Sequence, residues 1–312
     1  MNWSTAIITE PTVEPISLQE AKDHLRIRHS DEDTDIERMI TAARRHAEQF
    51  TGRAFISQRW RLTLDYLPSR IYLPWAPLTV RDVVSNGSFD SSTGWTLPAN
   101  WVVGSGKVTN TIGNDTEFAQ EAICTDGDTY FVEFRMGGHT GGTVTAAIDA
   151  SGTPTLPGTA RSTTGTFGEF IVSDGTDLRF YPSLTFNGWV DDVRCCAGWP
   201  IIEYRDTSNL WQTLDTSVYS VYQDEEPGSI SLAYQQSWPS ILGERGDVRI
   251  LYWAGYGDAA SDVPGPIRQA ILALIGSIYE FREDLATGPV IKNEAAERLL
   301  WPYRTWLEYP WR

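Results

Sequence analysis

The chain has 312 residues, 41% hydrophobic and 21% charged, with a formal net charge of −16. That length and composition fit about two globular domains. The acidic excess argues against a chain whose work is wrapping nucleic acid, because neutralising phosphates needs clustered Lys and Arg. The three cysteines, Cys124, Cys195 and Cys196, form neither a disulfide framework nor a zinc-binding CxxC pattern, and they suit folding in a reducing cytoplasm. No basic and apolar leader is expected at the start, and no apolar run nears the roughly 18 residues of a membrane span. Thirteen Trp supply more aromatic surface than one small core needs, which hints at assembly surfaces or a β-rich interior.

Composition changes twice along the chain, giving three predicted segments: 1–84, 85–198 and 199–312. In the first, Ser17 and Glu20 form a capping-box pattern at the start of a short helix with Leu18, Ala21 and Leu25 on one face. A second helix is expected over about 31–51. Carboxylates at Asp31, Glu32, Asp33 and Asp35 complement its dipole, Ile36, Met39, Ile40, Ala43, Ala47 and Phe50 recur at helical spacing, and Gly52 suits the stop. The acidic start imitates a calcium loop, but Ile36 stands where Gly is required and Ala42 where Glu is required. Arg44 and Arg45 fit the solvated face of this helix, with contact to passing DNA as the lesser alternative. Period-two strands are expected at 60–65, 71–73 and 78–83.

Residues 85–198 lose the helical periodicity and become rich in Gly, Thr, Ser and Asp. About eight short strands separated by turn residues predict an all-β sandwich or jelly roll. This block holds 13 acidic and 5 basic residues, so it carries half of the net charge. Beyond it, strands are expected at 201–206, 211–214, 217–222, 229–232 and 247–253. A long helix over about 266–285 follows, then a short helix over 293–300 and an aromatic tail with Trp301, Tyr303, Trp306, Tyr309 and Trp311.

The outer segments resemble the head–tail connector, or adaptor, proteins of long-tailed bacteriophages. The likeness rests on residues 14–26, on 42–54 with the strand opening at 56–60, and on 248–257 with 263–270 and 279–283. The inserted block departs from that pattern. It resembles the jelly-roll domains of carbohydrate-binding modules through its opening Asn86-Gly87-Ser88-Phe89 with Gly94-Trp95 and its closing Gly188-Trp189-Val190-Asp191-Asp192-Val193.

The resemblance implies an α+β fold, a helical connector core with small β-strands and hairpins interrupted by an all-β sandwich. It implies a structural virion protein and not an enzyme, placed in the neck at the head–tail junction after assembly in the host cytoplasm. The subunits would close into a ring of about twelve copies. The ring would join the portal protein to the next neck or tail component, with DNA passing through unbound. The tail aromatics Trp301, Tyr303, Trp306, Tyr309 and Trp311 would meet the portal, since aromatic anchors commonly fill a partner's pockets.

The alternative is a glycan-binding protein whose insert attaches the particle to a host surface polysaccharide, with Trp95, Trp101, Tyr181 and Trp189 as candidate platforms. No cofactor is expected. A structural calcium near the joined ends of the insert is weighed on Asp90 and Asp191, against two solvated turn carboxylates. The four His, at 24, 29, 46 and 139, are scattered, and no HExxH, GxSxG, P-loop or GxGxxG pattern occurs.

Overall fold

The computed structural model describes residues 3–113, 115–150, 152, 154–280 and 294–305. It is mixed α+β, with more strand than helix. Two compact units are formed, the first from 1–79, 200–214 and 218–312, the second from 80–199 with 215–217.

The first unit begins with β1 (Trp3–Thr9), α1 (Leu18–Leu25), α2 (Asp33–Thr51), β2 (Gln58–Leu64) and β3 (Arg70–Tyr72). The capping box forms as read. The Ser17 hydroxyl accepts the Glu20 amide at 3.2 Å and the Glu20 carboxylate accepts the Ser17 amide at 2.9 Å, which satisfies two orphan donors at the helix start. α2 starts at Asp33, two residues later than its acidic run suggests. Glu32 supplies no side-chain cap, and Asp33 instead receives Lys22 Nζ at 2.6 Å. The helix ends at Gly52, whose φ of 69° lies in the left-handed region. A Cβ there would meet Thr305 Oγ1 at 2.3 Å, so backbone conformation and close approach both require glycine.

The second unit contains β4 (Arg81–Asp82), β5 (Trp101–Val103), β6 (Val108–Asn110), β7 (Phe118–Gln120), β8 (Thr129–Gly141), β9 (Val144–Asp149), β10 (Gly165–Val172), β11 (Asp177–Pro182) and β12 (Asn187–Ala197). These make two antiparallel sheets. One runs β10-β8-β12-β6-β5, with β4 also on β12, and the other runs β7-β11-β9. Inward-facing Phe134, Met136 and Val190 from the first and Phe118, Ala146, Ile148, Leu178 and Phe180 from the second share one core, which makes the unit a β-sandwich. Phe118 and Phe180 stack at 4.9 Å and Phe134 meets Phe180 edge-on at 5.2 Å. Fully burying each such ring contributes about 1.5 to 3 kcal/mol.

The chain returns to the first unit as β13 (Ile201–Arg205), β14 (Trp211–Thr213), β15 (Tyr219–Tyr222), β16 (Ser229–Leu232), β17 (Val248–Ala254), α3 (Gly265–Glu280) and α4 (Glu294–Leu300). Its five-stranded antiparallel sheet runs β1-β2-β17-β13-β14, and a three-stranded sheet runs β15-β16-β3. β2 and β17 alternate buried and half-buried residues along their whole length, the period-two signature of a strand with one face on a core. Ile36, Ile40, Ala43 and Ala47 of α2 meet Ile267, Ala270, Ile271 and Ile275 of α3, closed over by Ala296 and Leu300 of α4. The expectation of a mainly helical core holds only in that layer, because the two sheets supply much of the unit. The expected continuation of α3 beyond residue 280 lies outside the described residues. Among the described residues, no helix is long and apolar enough to cross a membrane.

Candidate assembly surface

α2 carries the charges that organise the first unit. Arg44 is buried, and its guanidinium donates to Glu14 Oε2 at 2.7 Å and to Glu48 Oε2 at 2.8 Å. The other oxygen of Glu48 accepts the Phe55 amide at 3.0 Å and Gln58 Nε2 at 2.8 Å, and Glu14 also accepts Thr41 Oγ1 at 2.9 Å. Burial alone would lower the Arg44 pKa, but the carboxylates of Glu48 and Glu14 outweigh it and hold the guanidinium above its ordinary value. Glu48 is pushed above the usual carboxylate range by burial, with Arg44 and the Phe55 amide pulling only part of the way back. The cluster ties the segment before α1, the last turns of α2 and the start of β2 into one piece.

Arg44 is therefore removed from the solvated face on which the sequence places it, and from any passing polyanion. Its neighbour Arg45 is exposed and pairs with Glu10 at 3.1 Å. Two adjacent arginines on a helix point about 100° apart, so one turns inward while the other stays in water.

The C-terminal end of α2 receives the chain after α4. Thr305 donates its amide to Thr51 O at 2.8 Å, Arg53 Nε donates to Tyr303 O, and the same guanidinium pairs with Glu226. Burial would lower the Arg53 pKa, but the hydrogen bond to Glu226 outweighs it and the value rises. Arg304 lies over the rings of Phe50 and Trp301, 5.5 and 5.6 Å from their centroids. Trp301 remains 51% exposed and Tyr303 is half-buried. Of the five tail aromatics, Trp301 is thus brought together with Phe50 and Arg304 on one patch, while Tyr303 packs against the helical core. Trp306, Tyr309 and Trp311 lie outside the described residues. Elsewhere on this unit, Tyr234 is 88% exposed, and Leu210 and Trp211 are exposed along the edge strand β14. Exposed edge aromatics of this kind carry little signal in sequence, because β1 and β14 sit at the two ends of the five-stranded sheet and lack clean alternation.

In the second unit the four aromatic candidates separate. Trp95 and Trp101 are core residues, and their indole N–H groups donate to Asn86 O and Thr116 O. Tyr181 donates its hydroxyl to Asp149 at 2.8 Å, and burial raises its pKa beyond the ordinary phenol range. Trp189 lies against the Gly137-Gly138 backbone, where a Cβ would reach within 2.2 Å of its ring, and Lys107 and Arg135 flank it at 5.0 and 5.4 Å. Trp95 and Trp101 are therefore buried, whereas Tyr181 and Trp189 are half-buried. A cleft of about 470 Å³ lies beside Glu133, Arg135, Asp192 and Arg194, but its charges are paired among themselves.

The two calcium candidates have different surroundings. Asp191 is buried, with Oδ2 taken by Arg135 Nη2 at 2.5 Å and Oδ1 by the Asp192 amide at 2.7 Å. Asp90 is an exposed turn residue whose carboxylate accepts the Ser88 hydroxyl at 3.1 Å. Among the described residues no group of three or more His, Cys, Asp or Glu is placed to hold a metal ion, and an arginine already supplies the countercharge that calcium would bring.

Comparison with known proteins adds the following. The model of the phage gp6-like head-tail connector protein family matches residues 15–84, the stretch that holds the capping box, α1, α2, Arg44, Arg53 and β2. No curated protein matches. The chain is similar to a chain in the neck of an empty GTA particle computed with C6 symmetry, at 15% identity and a TM-score of 0.49, covering 97% of this chain and 95% of that one. It is similar to one in the neck of a native GTA particle computed with C12 symmetry, at 15% identity and a TM-score of 0.47 over 98% and 96% of the two chains. Part of it is similar to a CBM35 from Paenibacillus barcinonensis, at 18% identity and a TM-score of 0.27, covering 38% of this chain and 98% of that one. Residues 15–84 are thus similar to the phage gp6-like head-tail connector protein family, and the rest of the chain lies outside that match.

Proposed function

We propose that this protein is the subunit of a ring in the neck of a tailed particle, joining the portal to the next neck or tail component around the DNA channel. The observation that carries this is the family match over residues 15–84. The ring would hold about twelve copies, a cyclic assembly that needs heterologous side-to-side contacts. DNA passes through without specific binding. The net charge of −16 and the inward turn of Arg44 both suit a surface to which a polyanion does not adhere.

The tail aromatics are the portal contact in this reading. The patch of Phe50, Trp301 and Arg304 supports it, because Trp301 is held in place by its backbone yet leaves half of its ring in water. The second unit is a decoration of the neck with a jelly-roll connectivity, and no resident cofactor is assigned. The glycan reading gains no support from Trp95, Trp101, Tyr181 or Trp189.

The experiment is direct. Purified protein is mixed with purified portal rings, and complexes are separated by sedimentation and imaged. The full chain is expected to form rings that bind portal, and a chain ending at residue 300 is expected to lose that binding. Undiminished binding by the shortened chain would reject the tail contact, and a protein that stays monomeric in both samples would reject the ring.

A further inference from the structure

We propose that Cys124 and Cys195 are a latent cross-sheet disulfide of the β-sandwich, thiols while the protein is in a reducing cell and linked once it meets a peroxide outside. The clause about timing rests on the particle reading above; the bond itself does not.

The geometry selects this pair from three cysteines. Cys195 and Cys196 are neighbours on β12, so their side chains point to opposite faces. Cys195 faces the shared core together with Cys124, whereas Cys196, although buried, is not in that core. The Cys124 and Cys195 sulfurs are 3.8 Å apart, against about 2.05 Å in a disulfide, so side-chain movement of roughly 2 Å closes the gap. Both backbones are fixed. The amides of Ile123 and Cys124 donate to Thr176 O at 3.0 and 2.9 Å, and the Cys195 amide donates to Asp82 Oδ1 at 3.0 Å. Thr176 adjoins β11, the middle strand of the three-stranded sheet, and β12 is the middle strand of the other. The bond would therefore add a covalent link between the two sheets, whose shared interior is otherwise apolar.

The chemistry balances with hydrogen peroxide as oxidant. The Cys124 thiol gives up its proton and its sulfur attacks one peroxide oxygen; the O–O bond breaks, the departing hydroxide takes up that proton, and a sulfenic acid and water result. The Cys195 sulfur then attacks the Cys124 sulfur, the S–O bond breaks, a second water leaves and the S–S bond forms. The two thiols lose two electrons and two protons, and one peroxide is reduced to two waters. Cys124 acts first because it is 8% exposed and Cys195 not at all. The Cys195 thiol is held protonated by its hydrogen bond with Cys124 and by burial, which makes the reaction slow and keeps the pair reduced in a thiol-buffered cell.

The test uses the full-length protein, purified with reductant, freed of it and treated for hours with a small excess of hydrogen peroxide. Thiols are alkylated after denaturation and peptides are analysed by mass spectrometry without reduction. The expected result is loss of two of three alkylatable thiols, one linked peptide pair joining 124 to 195, and free Cys196. The melting temperature of the sandwich should rise by at least about 5 °C, because the bond closes a loop of 71 residues, and dithiothreitol should reverse the rise. Cys196→Ala should behave like the natural chain and Cys124→Ala should not cross-link. Three thiols surviving in the folded protein, a bond to Cys196, or a 124–195 bond formed only after unfolding would each overturn the proposal. Ring assembly, scored on the same samples, reports separately on the neck reading.

Discussion

In the first unit, ion pairs join segments that are far apart in sequence. Arg44 meets Glu14 across 30 residues, Arg53 meets Glu226 across 173, and Arg205 meets the fully buried Asp247 across 42. The sandwich also has ion pairs, such as Arg135 with Asp191, but rings span its interior. Trp101, Phe118, Phe180 and Phe134 form a continuous chain of contacts at 4.5 to 5.2 Å from one sheet to the other. Buried ion pairs contribute little net stability but tolerate only one geometry, whereas apolar rings stabilise strongly and tolerate repacking. In the proposed ring, the unit that would have to match copies of itself is the one whose distant segments meet through such geometrically demanding contacts.

That contrast can be broken by substitution. Phe180→Ala should remove about 3 to 5 kcal/mol from the sandwich, read as a lowered urea midpoint of its transition with the other unit unchanged. Glu48→Ala should cost the first unit a comparable amount, about 3 to 5 kcal/mol, because Arg44 keeps only Glu14 while the Phe55 amide and Gln58 lose their acceptor. Arg45→Ala on the next position should stay within about 0.5 kcal/mol. Gly52→Ala should cost about 1 to 2 kcal/mol, since φ is positive there and Thr305 must move. Ser17→Ala should cost about 1 kcal/mol, from the broken capping box, which leaves the exposed Arg45 as the smallest expected loss of the set.

Acid sharpens the comparison. Burial raises the Asp177 pKa, but the Ala122 amide and Arg179 outweigh it and hold the carboxyl below the ordinary 3.8. Its stabilising contribution is complete above 3.8 and disappears as pH falls through the lowered folded value. Glu48 has the opposite sign. Its folded value lies above 4.5, so its contribution is complete below 4.5 and is lost as pH rises through the folded value. Thermal melts from pH 5 to pH 2 should show Asp177→Asn flattening the acid loss of the sandwich. Between pH 4.5 and 7, Glu48→Gln should flatten the dependence of the first unit. Unchanged profiles in both variants would remove these two carboxyls from the account.

Much of the fold is legible in the sequence because its signals are local. The Ser17–Glu20 spacing, the apolar stripe from Ile36 to Ala47 and the alternation of β2, β8 and β17 are each complete within a few residues. β1 was not legible: it is an edge strand with both faces partly in water, so no period appears. The interior position of Arg44 was half legible. Glu48 stands one turn ahead at i+4, but Glu14 comes from the segment before α1, and nothing local marks it as a partner. Asp191 shows the same limit in reverse. A carboxylate at the end of a sandwich reads as an ion ligand until Arg135 is seen to come from the adjacent strand β8. Of the tail aromatics, the sequence shows the cluster but not that Arg304 and Phe50 complete it.

The pairing of β4 with the end of β12, Asp82 against Cys196 and Arg81 against Ala197, has an evolutionary corollary. The sandwich leaves its host polypeptide and rejoins it through two strands lying side by side, about 5 Å apart. A gene segment coding for such a block can be gained, lost or exchanged in a single recombination event, with a two-residue turn sufficient to heal the junction. Lineages that carry such a block are therefore free to exchange it while keeping the rest of the chain.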